Sequence, residues 1–155
     1  MNKNAKELNK SLTPIRIMTL LIFIVTLANT VISFRSFILW ENTRDLKVAL
    51  YALFSTAIMA LLFWIFQDIK KEHTPFIKSV IIKLQALGIL VVIASYAPTV
   101  ISAFAAGVES INGVLTACME NSEAMFIFLI GFIISIVAII FNYGAKLQED
   151  VDSIA

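Results

Sequence analysis

The residues with the most chemical capacity in this chain are uncharged. Thr26, Asn29, Thr30 and Ser33 follow an i, i+3, i+4, i+7 spacing that puts them on one face of a helix, with Thr19 close to the same line. Ser95, Thr99 and Ser102 repeat the pattern with Tyr96 beside them, and Tyr51 and Ser55 stand one turn apart. Hydroxyls and an amide donate and accept hydrogen bonds but offer no acid–base pair. Their chemistry is recognition or packing. Stripes on three neighbouring helices can line a cleft, for which Thr26, Asn29, Thr30, Ser33, Tyr51, Ser55, Ser95, Thr99 and Ser102 are the candidates. They can equally glue membrane helices together, at about 0.6 kcal/mol per hydrogen bond. Asn29 is the sharpest case, because an amide in the middle of an apolar helix needs a partner.

Titratable groups promise less. His73 and Cys118 are single representatives of their types, too few for a metal cage of four nitrogen or sulfur ligands. There is no HExxH, P-loop or GxGxxG motif. Glu149, Asp150 and Asp152 cluster near the C-terminus, where carboxylates are ordinarily solvated. The sequence therefore predicts a non-enzymatic protein with no catalytic residues, no metal and no cofactor.

The elements that must carry the stripes follow from composition. Of 155 residues, 59% are hydrophobic and 15% charged, against about 45–50% and 25% in a soluble domain. Four apolar runs, at 15–34, 48–66, 80–106 and 125–143, each suffice for a helix crossing a hydrocarbon layer of roughly 30 Å. The first run is too long for a signal-peptide core and lacks a small-x-small site, so it reads as a retained span. Backbone groups in lipid must pair internally, so the spans are helices. The predicted fold is all-α: one membrane domain over 1–155, an integral membrane four-helix bundle. Pro98 leaves the carbonyl of Ala94 without its usual donor and marks a kink site in the third run. Thr13-Pro14 and Thr74-Pro75 read as an N-cap and first helical residue before the first and third spans.

Charge sets the orientation. Lys3, Lys6, Lys10, Arg16, Lys70, Lys71, Lys78, Lys83 and Lys146 fall on one side, and only Arg35, Arg44 and Lys47 on the other. Nine cations against three place both termini in the cytoplasm. A net charge of +1 gives no field for direct nucleic-acid binding. No Asp or Glu lies in the middle of a span, which removes the usual machinery of proton-coupled transport. Arg16 and Lys83 lie near span ends, where long side chains snorkel to the headgroups. The third connection carries Glu109, Glu120 and Glu123. Val108, Ile111, Leu115, Cys118 and Met119 recur there at helical spacing, so 108–120 is either a surface helix or an ordinary polar loop.

Two segments on the cytoplasmic side carry a resemblance. HTPFIKSVIIKLQALG, residues 73–88, places Pro-Phe before the third span with a basic-Leu pair after it. NYGAKLQEDVD, residues 142–152, follows the fourth. With four spans in this length, the chain resembles the bacterial DUF2975 membrane-protein family. It departs from that pattern at Ser79-Val80, where the family tends to have Asn, and in its last four residues, Asp152-Ser153-Ile154-Ala155. The family has no established function. The resemblance implies a multi-pass protein of the bacterial cytoplasmic (inner) membrane, often encoded beside a small helix-turn-helix regulator. The expectation is a regulatory protein that binds or sequesters such a cytoplasmic partner. Its candidate contact residues are Pro75, Phe76, Lys83, Leu84, Tyr143, Gly144, Leu147, Gln148, Glu149 and Asp150. In that arrangement Lys83 and Lys146 can meet Glu149 or Asp150. Two alternatives stay open: an outward-facing binder or immunity-type protein for an external peptide or small molecule, and a subunit of a larger membrane complex. Besides the lipid bilayer, a second copy of the chain is a further possible partner.

Overall fold

The computed structural model describes residues 3–72, 74 and 76–154, with side chains from Lys10 onward except those of Gln148 and of 152–154. Five helices follow one another: α1 (Lys3–Trp40), α2 (Thr43–Glu72), α3 (Lys78–Ala105), α4 (Ile111–Met119) and α5 (Ser122–Ile154). Four of them, all but the short α4, are long and apolar enough to cross a membrane. The short α4 lies within 108–120, the segment that the sequence left open between a surface helix and a polar loop.

The helix ends have local causes. Glu41, in the left-handed region at φ 47°, turns the chain out of α1. The Asn42 side-chain oxygen then accepts the Arg44 N–H at 3.0 Å as α2 begins. At the end of α3, Gly107 takes φ 81°, a conformation glycine adopts without a Cβ penalty. The Gly107 N–H reaches the Phe104 carbonyl at 3.0 Å and the Val108 N–H reaches that of Ala103 at 3.1 Å. These satisfy carbonyls that the helix would otherwise leave open. Ser110 caps α4 by accepting the Gly113 N–H at 3.1 Å.

Two expected helix starts are corrected. Pro14 lies inside α1, which begins at Lys3, so Thr13 is not an N-cap. The residues ahead of Pro14 continue the helix, although the proline cannot donate to the Lys10 carbonyl. α3 begins at Lys78 with Ile77 at the N-cap position and no side-chain cap. Thr74 instead accepts the Phe76 N–H at 3.3 Å, a local turn ahead of the helix. Pro75 lies outside the described residues. The helix assignment of α3 runs unbroken through Pro98, which is fully buried.

Packing runs from α1 to α2, from α2 to α3 and from α3 to α5, with α4 resting on α3. The four long helices thus form a helical bundle left open between α1 and α5, and α3 is its inner member. Within its apolar segment 39% of residues are buried, against 17% for each of the other three. Ile65 of α2 and Val80, Leu87 and Val91 of α3 form the core cluster, with Ile58, Leu61 and Leu84 packed around it. On the other side of α3, small residues let backbones touch. A Cβ on Gly88 would lie 3.0 Å from the Ser135 nitrogen and 3.1 Å from the Gly131 carbonyl oxygen. One on Gly131 would lie 2.8 Å from the Val92 nitrogen. Backbone cannot swing aside as a side chain can. Gly131→Val is therefore expected to destabilise the protein by about 1–3 kcal/mol, read as a lowered midpoint of unfolding in detergent. Substitution of the exposed Ile130 by Val should leave the midpoint in place.

Candidate functional site

Polar and aromatic groups collect at the two ends of the bundle along the helix axes. The end that carries the α2–α3 connection and the C-terminal part of α5 holds the two segments picked out in the sequence. Phe76, just ahead of α3, stacks obliquely on Phe141 of α5, with ring centroids 5.4 Å apart. Gly144 lies under the same ring: a Cβ there would sit 3.0 Å from a Phe76 ring carbon. This explains why an aromatic and a glycine so distant in sequence belong together. Beside them opens a cleft of about 540 Å³ lined by Phe76, Lys78, Ile81, Asn142, Lys146 and Glu149.

The expected charge pairing is corrected. Lys83 pairs with Asp68 of α2, Nζ to Oδ2 2.5 Å, and Ser79 donates a hydrogen bond to the same oxygen. The Lys83 and Asp68 side chains are about three-quarters covered. The reach of Lys83 is thus used between α2 and α3 instead of toward α5 or the headgroups. Lys146 places its ammonium 6.0 Å from the centre of the Tyr143 ring, one turn earlier in α5. Leu84 packs against the core. Tyr143 and Leu147 point away from the other helices, and Glu149 and Asp150 are exposed. The side chain of Gln148 lies outside those described, as do Pro75 and His73.

The polar stripes resolve into two separate seams. Thr30 of α1 and Thr56 of α2 share a hydrogen bond of 2.9 Å between buried hydroxyls, and each also donates or can donate to its own helix, at Thr26 and Ala52. Thr26 bonds back to the Phe23 carbonyl, and Ser33 is buried on the same side of α1. The second seam gathers Tyr51 of α2, Ser95 and Thr99 of α3, and Asn121 from the α4–α5 turn. The Asn121 amide donates to the Tyr51 hydroxyl and to Thr99 Oγ1, both at 3.0 Å. Tyr51 in turn lies 3.3 Å from the Ser95 carbonyl and from Thr99 Oγ1. Ser95 and Ser102 bond back to the Val92 and Thr99 carbonyls. Asn29 and Ser55 belong to neither seam and are exposed.

Two clefts open beside the second seam. One of about 510 Å³ is mostly apolar, with Tyr96, Leu115, Cys118, Met119, Met125 and Phe126 on its walls. The other, of about 500 Å³, is lined by Arg44, Lys47 and Glu120 together with Thr99, Ser102 and Asn121.

Sequence reasoning missed Asp68 and Asn121. Asp68 had a signal: it lies four residues before the end of α2 and Lys83 five after the start of α3, so a tight hairpin sets them level. Asn121 had none, because its partners are 22 and 70 residues away in the chain.

Removing one member of the Asp68–Lys83 pair strands the other charge at a helix–helix seam. Asp68→Ala or Lys83→Ala alone is expected to cost about 1–2 kcal/mol, tempered by partial exposure. The double substitution should cost less than the sum, a coupling that unfolding midpoints of all four proteins measure directly. Compared with known proteins, the chain matches no family model, no curated protein and no solved structure.

Proposed function

We propose that the chain is a non-enzymatic multi-pass membrane protein whose α5 end docks a partner protein in the cytoplasm. The observation that carries this reading is the reach of α5. Its 33 residues make a helix of about 50 Å, well beyond the roughly 30 Å of a hydrocarbon layer. On its last turns Tyr143, Leu147 and Val151 recur at i, i+4, i+8 and are each about 65% exposed. An apolar stripe on a helix that has left the membrane fits an amphipathic partner helix. The adjoining cleft, with Phe76 at its base and Lys78, Lys146 and Glu149 around it, supplies polar contacts at the rim. The excess of Lys and Arg at this end supports its placement in the cytoplasm. The resemblance to the DUF2975 family supplies the class of partner, a small helix-turn-helix transcription regulator held at the bacterial inner membrane and released on a signal.

A second reading has its own observation. The two clefts beside Asn121, one apolar and one bearing Arg44, Lys47 and Glu120, suit an external peptide or small molecule at the opposite face.

Co-purification separates them. A tagged protein in mild detergent should retain the regulator encoded beside it. Truncation after Gly144 or the single change Leu147→Glu should lower that retention at least tenfold while leaving the protein in the membrane. Retention that survives both changes contradicts the first reading. Loss of sensitivity to an external agent on Lys47→Glu, with Leu147→Glu silent, would favour the second.

A further inference from the structure

Asn29 and Ser55 stand out because the fold gives them nothing to do. Both are exposed, and among the described residues no hydrogen bond engages either side chain. Asn29 lies five residues before residue 34, where the apolar run ends, or about 8 Å along the axis. It is about 20 Å from residue 15, where the apolar run begins. Its short side chain cannot reach either membrane surface from that depth. A primary amide facing hydrocarbon without a partner loses the hydrogen bonds it had in water and gains nothing in return.

The two residues also share a place. The Thr30–Thr56 hydrogen bond fixes where α1 and α2 meet. One residue back along either helix is a rotation of about 100°. Because α1 and α2 run in opposite directions, those two rotations are opposite in sense when viewed from one end. Asn29 and Ser55 therefore leave the seam on the same side and at the same depth. Around Asn29 on α1 the same side carries Met18, Ile22, Val25 and Ile32, all strongly exposed. α1 closes the row at one end and packs on α2, so this face stands open.

The amide itself says what covers it. It carries two donors and an acceptor and so complements another amide. Two copies of this chain inserted in the same direction hold Asn29 at identical depth, which no other partner guarantees. We propose that a second copy of the chain packs on the α1–α2 face, with the two Asn29 amides hydrogen-bonded to each other inside the hydrocarbon layer and Ser55 flanking them. The contact is isologous, related by a two-fold axis along the membrane normal. It leaves the α5 end of each copy uncovered.

The test uses the full chain in phosphatidylcholine vesicles at varied protein-to-lipid ratio. Association is read by energy transfer between donor and acceptor dyes on the native Cys118. The wild type should dimerise, Asn29→Leu should associate about three- to tenfold more weakly, and Asn29→Gln should stay close to wild type. The unfolding midpoint of dilute Asn29→Leu should not fall, since the side chain is exposed and makes no hydrogen bond among the described residues. In a Cys118→Ser background, Val25→Cys should form an oxidative cross-linked dimer and Val31→Cys, on the far side of α1, should not. A monomeric wild type, equal association in Asn29→Leu, or equal cross-linking at the two positions would each overturn the proposal.

Discussion

The approach of α3 to α5 at Gly88 and Gly131 is the contact on which both ends of the molecule depend. In lipid, apolar side chains gain little by leaving one hydrocarbon surface for another, so helices associate through close packing and interhelical hydrogen bonds. Here the backbones come near enough that a Cβ on Gly131 would lie 2.8 Å from the Val92 nitrogen. Along the same seam Phe76 meets Phe141 and Gly144 at one end, and Tyr96 meets Phe128, centroids 6.1 Å apart, toward the other. Separating the two helices would open all of these together.

The other seams use different means. α2 meets α3 through an apolar cluster, with an ion pair at one end and the Tyr51–Thr99–Asn121 network at the other. α1 meets α2 through small and hydroxylated residues, including Ala49, Ala52 and the Thr30–Thr56 pair. The result is a row in which α3 is enclosed and the flanking helices keep most of their surface for lipid or for other proteins. Such exposure of Ile22, Val25 and Ile32 would be a liability on a soluble domain and suits a helix long and apolar enough to cross a membrane.

Much of this was legible in the sequence because it depends on composition and period. The apolar runs marked the four long helices, whereas the spacing of Ile111, Leu115 and Met119 left α4 open between a helix and a loop. Helix starts were not legible at Thr13-Pro14, since a proline is tolerated when the turn before it has other reasons to stay helical. The pairing of polar groups was the hardest part. Hydroxyls on one helical face look alike whether they bond back to their own carbonyl, as Thr26 and Ser102 do, or bridge to another helix, as Thr30 does. Lys83 had several carboxylates within apparent reach, and the turn between α2 and α3 decided in favour of Asp68. Asn29 needs a partner by its chemistry, and it finds none among the described residues of its own chain.

We propose different work for the two ends: docking at the extended α5 helix inside the cell, and a network capped by α4 outside it. Both docking readings rest on that orientation. Labelling of single-cysteine variants in intact cells with a membrane-impermeant maleimide tests it most directly, using Glu109→Cys and Val151→Cys in a Cys118→Ser background, both positions being exposed. The account predicts that Glu109→Cys is labelled in intact cells and Val151→Cys only after the membrane is permeabilised. Labelling of Val151→Cys from outside, with Glu109→Cys protected, would contradict it.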